Sequence, residues 1–436
     1  LVGSEMCIRD RSQRLPRPIP TTPSMSTEMI RIKTDAGFCS RQLLTRSPKI
    51  NGCAAFLQRI RFFMVPPFFC LEIVMGRPFN FAAGPSMLPE SVLKSVSDAV
   101  IDYEGHGYSI LEMMHRKPPF EAILLELKSR VKSLLAVPDD FEILFCPGGG
   151  KTQFAMVPLN LVTQGCRGGY VVTGTWSRMA SEECRRVSRE TTLWAGNNRE
   201  LPANVIHVPR DVEYVYFCDN ETVDGTEFKG LPAVDDNDAL FVSDMSSNFM
   251  SRPVDWTRYA AVWAGVQKNF GTAGLACVIV RRDQLGCAAE TVPQMLDWSV
   301  YARNNSLQNT PPVLQFYTAM LMARWVDEQG GVAEMDRRAK ERSALLYDTI
   351  DSMGDFYVSR IAPEARSRMN VVFTLADETL LPVFVKEAEA QGLTNLAGHR
   401  SVGGLRASLY NVMPMEGVER LTAFMRDFAG RHVERH

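Results

Sequence analysis

The chain lacks the features that mark a membrane protein, a nucleic-acid binder or a disulfide scaffold. No stretch reaches the roughly 18 to 20 uncharged apolar residues that a membrane span needs. The nearest, Phe62 to Met75, is short and is broken by Pro66, Pro67 and Glu72. Net charge is almost absent, since 48 Lys and Arg against 50 Asp and Glu leave −2, and nothing in that total points to a nucleic-acid partner. The ten cysteines contain no CxxC pair. Six of them (Cys146, Cys166, Cys184, Cys218, Cys277 and Cys287) lie beyond the first 74 residues, mostly inside apolar runs. That pattern suits buried, reduced thiols in an intracellular protein and argues against a disulfide framework or a metal site. Internal repeats and low-complexity tracts are also missing.

What is present is an ordinary globular composition, 45% apolar and 22% charged, over 436 residues, enough for two or three domains. The charge is unevenly spread. Residues 1–74 hold eleven Lys and Arg and five acids, leaving 37 against 45 for residues 75–436. A basic leader therefore precedes a mildly acidic body. The leader is rich in Arg and Ser, as organelle transit peptides are. It also has no sustained periodicity, and its opening LVGSEMCIRDRS reads as untranslated or spurious upstream sequence, with Met75 as an alternative start. Both readings leave it outside the fold.

From residue 85 helical and strand patterns alternate. Glu121 to Leu135 carries Ile123, Leu124, Leu127, Val131, Leu134 and Leu135 at helical spacing and stops before Pro138. FEILFC (141–146) predicts a strand running into glycines, followed by a helix over 153–162, a strand at GYVVTG (169–174) and a helix over 177–188. Strands follow at VEYVYF (212–217), ALFVSDM (239–245), AVWAGV (261–266) and ACVIVRR (276–282). Such nearly continuous apolar runs are those of strands buried on both faces, and their alternation with helices predicts an α/β domain around a mostly parallel sheet. After the turn at Asn309–Pro312 a helix covers 313–327 and Gly330-Gly331 ends it. A strand at VVFTL, a helix over 382–391, a strand at GLRASLY and a closing helix from Glu416 then predict a smaller α+β domain, with the boundary near residue 330.

Three positions in the larger domain carry chemistry. CPGGGKTQF (146–154) leaves a strand and enters a helix, where backbone amides and the helix dipole can hold a phosphate. A P-loop needs glycine at position 145, which is Phe, so phosphate binding by Gly150, Lys151 and Thr152 or a plain glycine turn remain. Asp244 ends the apolar strand of ALFVSDM, at the carboxyl edge where open α/β sheets build their sites. It either meets a partner there or caps the turn, because burying it alone costs several kcal/mol. Lys268, in AGVQKNFGTAGL, also ends an apolar strand, and is either a surface lysine or an amine desolvated for reaction with a carbonyl. Together they supply what pyridoxal phosphate requires: a lysine for the aldehyde, an acid for the ring nitrogen and a helix start for the phosphate.

FNFAAGPSMLP, the HR of LEMMHRK, FCPGGGKTQF, GTWS, NETVDG, SDMSSN, AGVQKNFGTAGL, NTPP and AGHRSVGGLRASLYNVMP form an ordered set between Arg77 and Arg426. This set closely resembles the phosphoserine aminotransferase family, in class V of the fold type I pyridoxal-phosphate enzymes. The resemblance implies a large cofactor-binding domain with a mostly parallel sheet and a smaller C-terminal α+β domain. It also implies a homodimer that moves an amino group between L-glutamate and 3-phosphohydroxypyruvate, giving O-phospho-L-serine and 2-oxoglutarate in serine biosynthesis. Lys268 would hold the cofactor as a Schiff base and shuttle a proton. Asp244 would keep the pyridine nitrogen protonated, and Trp176 would stack on the ring. Thr222, Gly150, Lys151 and Gln267 would contact the cofactor, joined by Asn309 and Thr310 of a second subunit. Arg406 would clamp the α-carboxylate, while His115, Arg116, His399 and Arg400 would receive the substrate's phosphate or distal carboxylate. Ala83 replaces a serine of some members, and Lys151 stands at a variable position. The implied compartment is the cytoplasm, or an organelle if residues 1–74 are a transit peptide. A cysteine desulfurase and a nucleotide-binding module built on GGGKT are the rival readings.

Overall fold

The computed structural model describes residues 77–432. The leader, its four cysteines and Met75 lie outside the described residues. In chain order the first elements are β1 (Phe79–Asn80), α1 (Glu90–Ile101), α2 (Pro118–Leu134), β2 (Phe141–Pro147), α3 (Gly150–Leu161), β3 (Arg167–Val172) and α4 (Thr175–Val187). Next come β4 (Glu190–Ala195), β5 (Val212–Cys218), β6 (Phe241–Asp244), β7 (Tyr259–Gly265), β8 (Leu275–Arg281), α5 (Trp298–Arg303) and α6 (Val313–Glu328). The chain closes with α7 (Gly331–Ser352), β9 (Tyr357–Val358), β10 (Asn370–Leu375), α8 (Leu381–Ala390), β11 (Leu393–Thr394), β12 (Leu405–Ser408) and α9 (Met415–His432).

Seven strands form one sheet in the order β2-β8-β7-β6-β5-β3-β4. Its β7-β6-β5-β3-β4 ladder is parallel throughout, and β8 runs antiparallel to both β2 and β7. The mostly parallel sheet expected from the apolar runs is therefore present. The period of two along each strand explains the runs. Phe145, Val215, Phe217, Val262 and Ile279 join α2 and α6 in one core, while Leu144, Tyr214, Tyr216, Trp263 and Val278 join α3, α4 and α5 in another. Each face is covered by helices, so neither set of alternate residues needs to be polar. β4 escaped the sequence reading because ETTLWA is an edge strand of half-buried residues with no apolar run.

Beyond α6 the chain builds a three-stranded antiparallel sheet, β12-β10-β9, against α7, α8 and α9. Val371, Phe373, Phe384, Leu405, Phe424 and Phe428 form its core. The N-terminal strand joins this part: β1 pairs in parallel with β11, Ser408 N donates to Phe81 O, and Phe81 is fully buried in the same core. A buried ion pair also links the two parts: Glu227 pairs with Arg368 at 2.7 Å. Arg368 is held from its own side by Asp336 of α7, and within the large part Asp219 at the end of β5 pairs with Arg252 at 2.6 Å.

Candidate active site

Five connections leave the carboxyl ends of strands on the same edge of the large sheet, the edge at which parallel α/β sheets build their sites. β2 leads to the glycines before α3, β3 to Gly174 and Trp176, β5 to Thr222, β6 ends on Asp244, and β7 runs out to Gln267 and Lys268. A cavity of about 500 Å³ opens there. Its walls include Gly150, Lys151, Trp176, Thr222, Asp244, Gln267, Lys268, His399 and Arg406, so nine of the fourteen candidate residues meet in one place. His115, Arg116, Asn309, Thr310 and Arg400 do not line it.

Lys268 is the chemical centre of this cavity. Its Nζ lies 2.5 Å from Thr222 Oγ1 and 5.3 Å from the centre of the Trp176 ring. The residue keeps some surface open to the cavity, while protein crowds the amine. That enclosure lowers its pKa below the ordinary lysine range, and the charge of Asp244 opposes the shift. Asp244 is 5% exposed, and burial pushes its carboxyl up against the opposing pull of Lys268 and of Ser246, whose N–H donates to Oδ1 at 2.8 Å. The buried carboxylate thus has the partners that the sequence required of it. Arg406, on β12, reaches in from the smaller part of the chain, and its Nη1 donates to Thr222 O at 3.3 Å. Arg406 carries no carboxylate partner among the described residues. His399 stands exposed at the rim, with Nδ1 2.7 Å from Ser401 Oγ.

The two helices that begin at this cavity are finished differently. α3 starts at Gly150 with Gly149 as its N-cap, no side chain caps it, and its first turn holds no acid. Thr152 N donates to Gly149 O at 3.1 Å, which leaves the amides of Gly150 and Lys151 at the cavity without a protein acceptor among the described residues, an anion-binding arrangement. Glycine at 150 suits this approach, because a Cβ would sit 3.0 Å from Cζ3 of Trp263, a tighter contact than side chains ordinarily make. α4 starts one residue after Gly174, and its leading amides are already taken by acids. Thr175 N donates to Asp224 Oδ2 at 2.6 Å, Trp176 N to Glu221 Oε2 at 2.8 Å and Ser177 N to Glu221 Oε1 at 2.8 Å. The sequence reading missed Glu221, Asp224, Ser177 and Gly174. The available signal was a helix start in GTWS without a capping side chain, and two acids in NETVDG without cationic partners.

None of the six described cysteines lines the cavity, and burial raises the thiols of Cys146, Cys184, Cys218 and Cys277. That disfavours a sulfur-transfer site. No group of His, Cys, Asp and Glu suited to a metal occurs among the described residues, and no described helix is long and apolar enough to cross a membrane.

The Aminotransferase class-V family matches residues 78–421. The chain belongs to the class-V aminotransferases. Among its relatives is a phosphoserine aminotransferase of Aromatoleum aromaticum, 41% identical over 367 residues, covering 82% of this chain and 100% of that protein. The chloroplastic phosphoserine aminotransferase 2 of Arabidopsis thaliana is 41% identical over 361 residues, covering 82% of this chain and 86% of its own length. A solved PLP-bound phosphoserine aminotransferase from Trichomonas vaginalis superposes with a TM-score of 0.77 at 37% identity, covering 80% of this chain and 100% of that one. Within the class, the chain therefore belongs to the phosphoserine aminotransferase family.

Proposed function

We propose that this chain transfers an amino group between L-glutamate and 3-phosphohydroxypyruvate, yielding O-phospho-L-serine and 2-oxoglutarate, with pyridoxal phosphate as cofactor. The observation that carries the reading is Lys268, an enclosed amine with lowered pKa. It shares a cavity with the buried Asp244 and with a helix start that no side chain caps.

The residues present fit the cofactor. The uncapped amides of α3 suit a phosphate, Asp244 suits a protonated ring nitrogen, and the unpartnered buried Nε1 of Trp176 and Oε1 of Gln267 lie on the same walls. When bound, pyridoxal phosphate supplies an aldehyde for the amino group and a ring that accepts electrons from the substrate Cα. The chain does the rest. The lowered pKa of Lys268 leaves more of its amine neutral near pH 7, so that it can take and return the proton at the substrate Cα. Asp244 supplies the negative charge that keeps the ring nitrogen protonated, and Thr222 holds the Lys268 amine in line. Trp176 closes one wall and excludes water. Arg406, with no ion-pair partner among the described residues, takes the α-carboxylate bidentately, while His399 and Arg400 serve the substrate's phosphate or distal carboxylate.

The active unit is a homodimer. Asn309 and Thr310 do not line this chain's cavity, and Oδ1 of Asn309 and Nε2 of His115 are buried without partners. Beside His115 and Arg116, Leu111 and Met114 are 63% and 60% exposed, an apolar edge that a second copy would cover. We therefore assign all four polar residues to sites completed by a second subunit. Light scattering should give a mass near twice that of the chain, and a monomer with full activity would remove this requirement.

The described chain divides near residue 330 into a cofactor-binding part and a smaller C-terminal part, the latter augmented by β1. The compartment is the cytoplasm, or an organelle if residues 1–74 act as a transit peptide, a reading that the chloroplastic relative supports. Amino transfer from O-phospho-L-serine to 2-oxoglutarate, with L-serine as the control, tests the function. Preference for the phosphorylated donor is expected, and equal use of L-serine would overturn the assignment.

A further inference from the structure

We propose that Glu221 is a positioning residue, which fixes Trp176 at the cofactor by clamping the first turn of α4 to the hairpin that carries Thr222. The proposal rests on the functional reading above, because it needs a cofactor against the Trp176 ring.

The hairpin spans residues 220–227, closed by the Asn220–Glu227 bridge and by Glu221 N donating to Thr226 O at 2.8 Å. From it Thr222 meets Lys268, while the two neighbouring acids turn to α4. Glu221 alone accepts three hydrogen bonds, from Trp176 N, Ser177 N and Ser177 Oγ, at 2.8, 2.8 and 2.5 Å. The first of these comes from the backbone of the residue whose ring forms the cavity wall. The N-cap is Gly174 and the first turn of α4 holds no acid, so the only other clamp on that turn among the described residues is Asp224, which takes the amide of Thr175 and not that of Trp176. Gly174 is also what allows the approach, since a Cβ there would lie 2.5 Å from Cδ of Glu221. A tilt or slide of the first turn of α4 would carry the indole with it, and misplacements near 1 Å at such sites are costly.

Glu221 is not explained as a stabilising contact. It is fully buried, and burial first, then the charge of Asp224, raises its carboxyl from 4.5 to about 7 despite three donors. An acid whose folded pKa lies above its unfolded value is disfavoured when ionised, so from neutral pH upward its charge works against the fold. A group that costs stability while holding an active-site wall in register is acting on geometry.

The test measures cofactor affinity, not turnover. Pyridoxal phosphate dissociation and the visible circular dichroism of the bound cofactor are recorded for the wild type, Glu221→Gln, Trp176→Ala and the double variant. Glu221→Gln keeps the size but loses one acceptor oxygen. It should raise the dissociation constant about tenfold and alter the visible dichroism. In the Trp176→Ala background the same substitution should change affinity less than about twofold, because the ring it positions is gone. An unchanged constant in Glu221→Gln, or an equal loss in both backgrounds, overturns the proposal. Glu221→Asp, which keeps the charge but shortens the reach, carries the same expectation and replaces Gln if that variant does not fold. A wild type that takes up no pyridoxal phosphate overturns the functional reading itself. A wild type that binds it and transaminates beside an indifferent Glu221→Gln overturns only the positioning role.

Discussion

At the scale of single residues, Gly150 states the demands of the site in their simplest form. The amides at the start of α3 open onto the cavity beside the ring of Trp263, which is 1% exposed. Gly150→Ala puts a methyl group 3.0 Å from that ring, so the first turn of α3 has to move, at about 1 to 3 kcal/mol for an overpacked contact. We expect its affinity for pyridoxal phosphate to fall about tenfold and its melting temperature to drop by a few degrees, as read by cofactor titration and thermal unfolding. Gly150, Lys268 and Asp244 were legible in the sequence, since each ends or follows an apolar strand where a glycine cluster or a lone charge is anomalous. Glu221 and Asp224 were not. Their partners lie 45 and 49 residues away, on a helix whose cap is a glycine. Local capping rules look within the first turn, and here the caps come from another strand's hairpin.

At the scale of elements, the strands declared themselves through continuous apolar runs because helices cover both faces of the sheet. The exceptions have physical causes. β4 lies at the sheet edge and needs no run, and β1 is two residues long with a partner, β11, that lies more than three hundred residues away. Helix pairing allows a pH prediction. Glu126 on α2 accepts from Nε and Nη2 of Arg324 on α6, both at 2.6 Å, and from Nε of Arg130 at 2.7 Å. The Arg324 hydrogen bond, opposed by partial burial and aided by Arg130, lowers the carboxyl from 4.5 to about 2. Because the folded value lies below the unfolded one, this contact stabilises above pH 4.5 and its contribution fades as pH falls toward 2. Arg324→Met should therefore melt below the wild type at pH 7, with the gap closing under acid. A gap that stays constant down to pH 3 would show that packing, not the ion pair, links the helices.

At the scale of the whole molecule, the cavity belongs to two parts of the chain at once. The large sheet brings Lys268, Asp244, Thr222 and the start of α3, while β12 supplies Arg406 and the loop before it supplies His399. One buried pair crosses the join, Glu227 with Arg368, and Asp336 of α7 braces Arg368 from the smaller part. Breaking such a pair by removing one partner costs about 3 to 5 kcal/mol. The change of pattern near residue 330 marked where the large sheet gives way to the antiparallel β12-β10-β9 sheet. The return of the N-terminal strand to the distal core was not, because a short extended segment carries no record of its partner. One measurement bears most directly on the account as a whole: amino transfer from O-phospho-L-serine to 2-oxoglutarate by the wild type and by Lys268→Ala. The variant should lose at least about a thousandfold in kcat, because no other amine in the cavity is enclosed beside Asp244. A Lys268→Ala enzyme within about tenfold of the wild type would contradict the central claim.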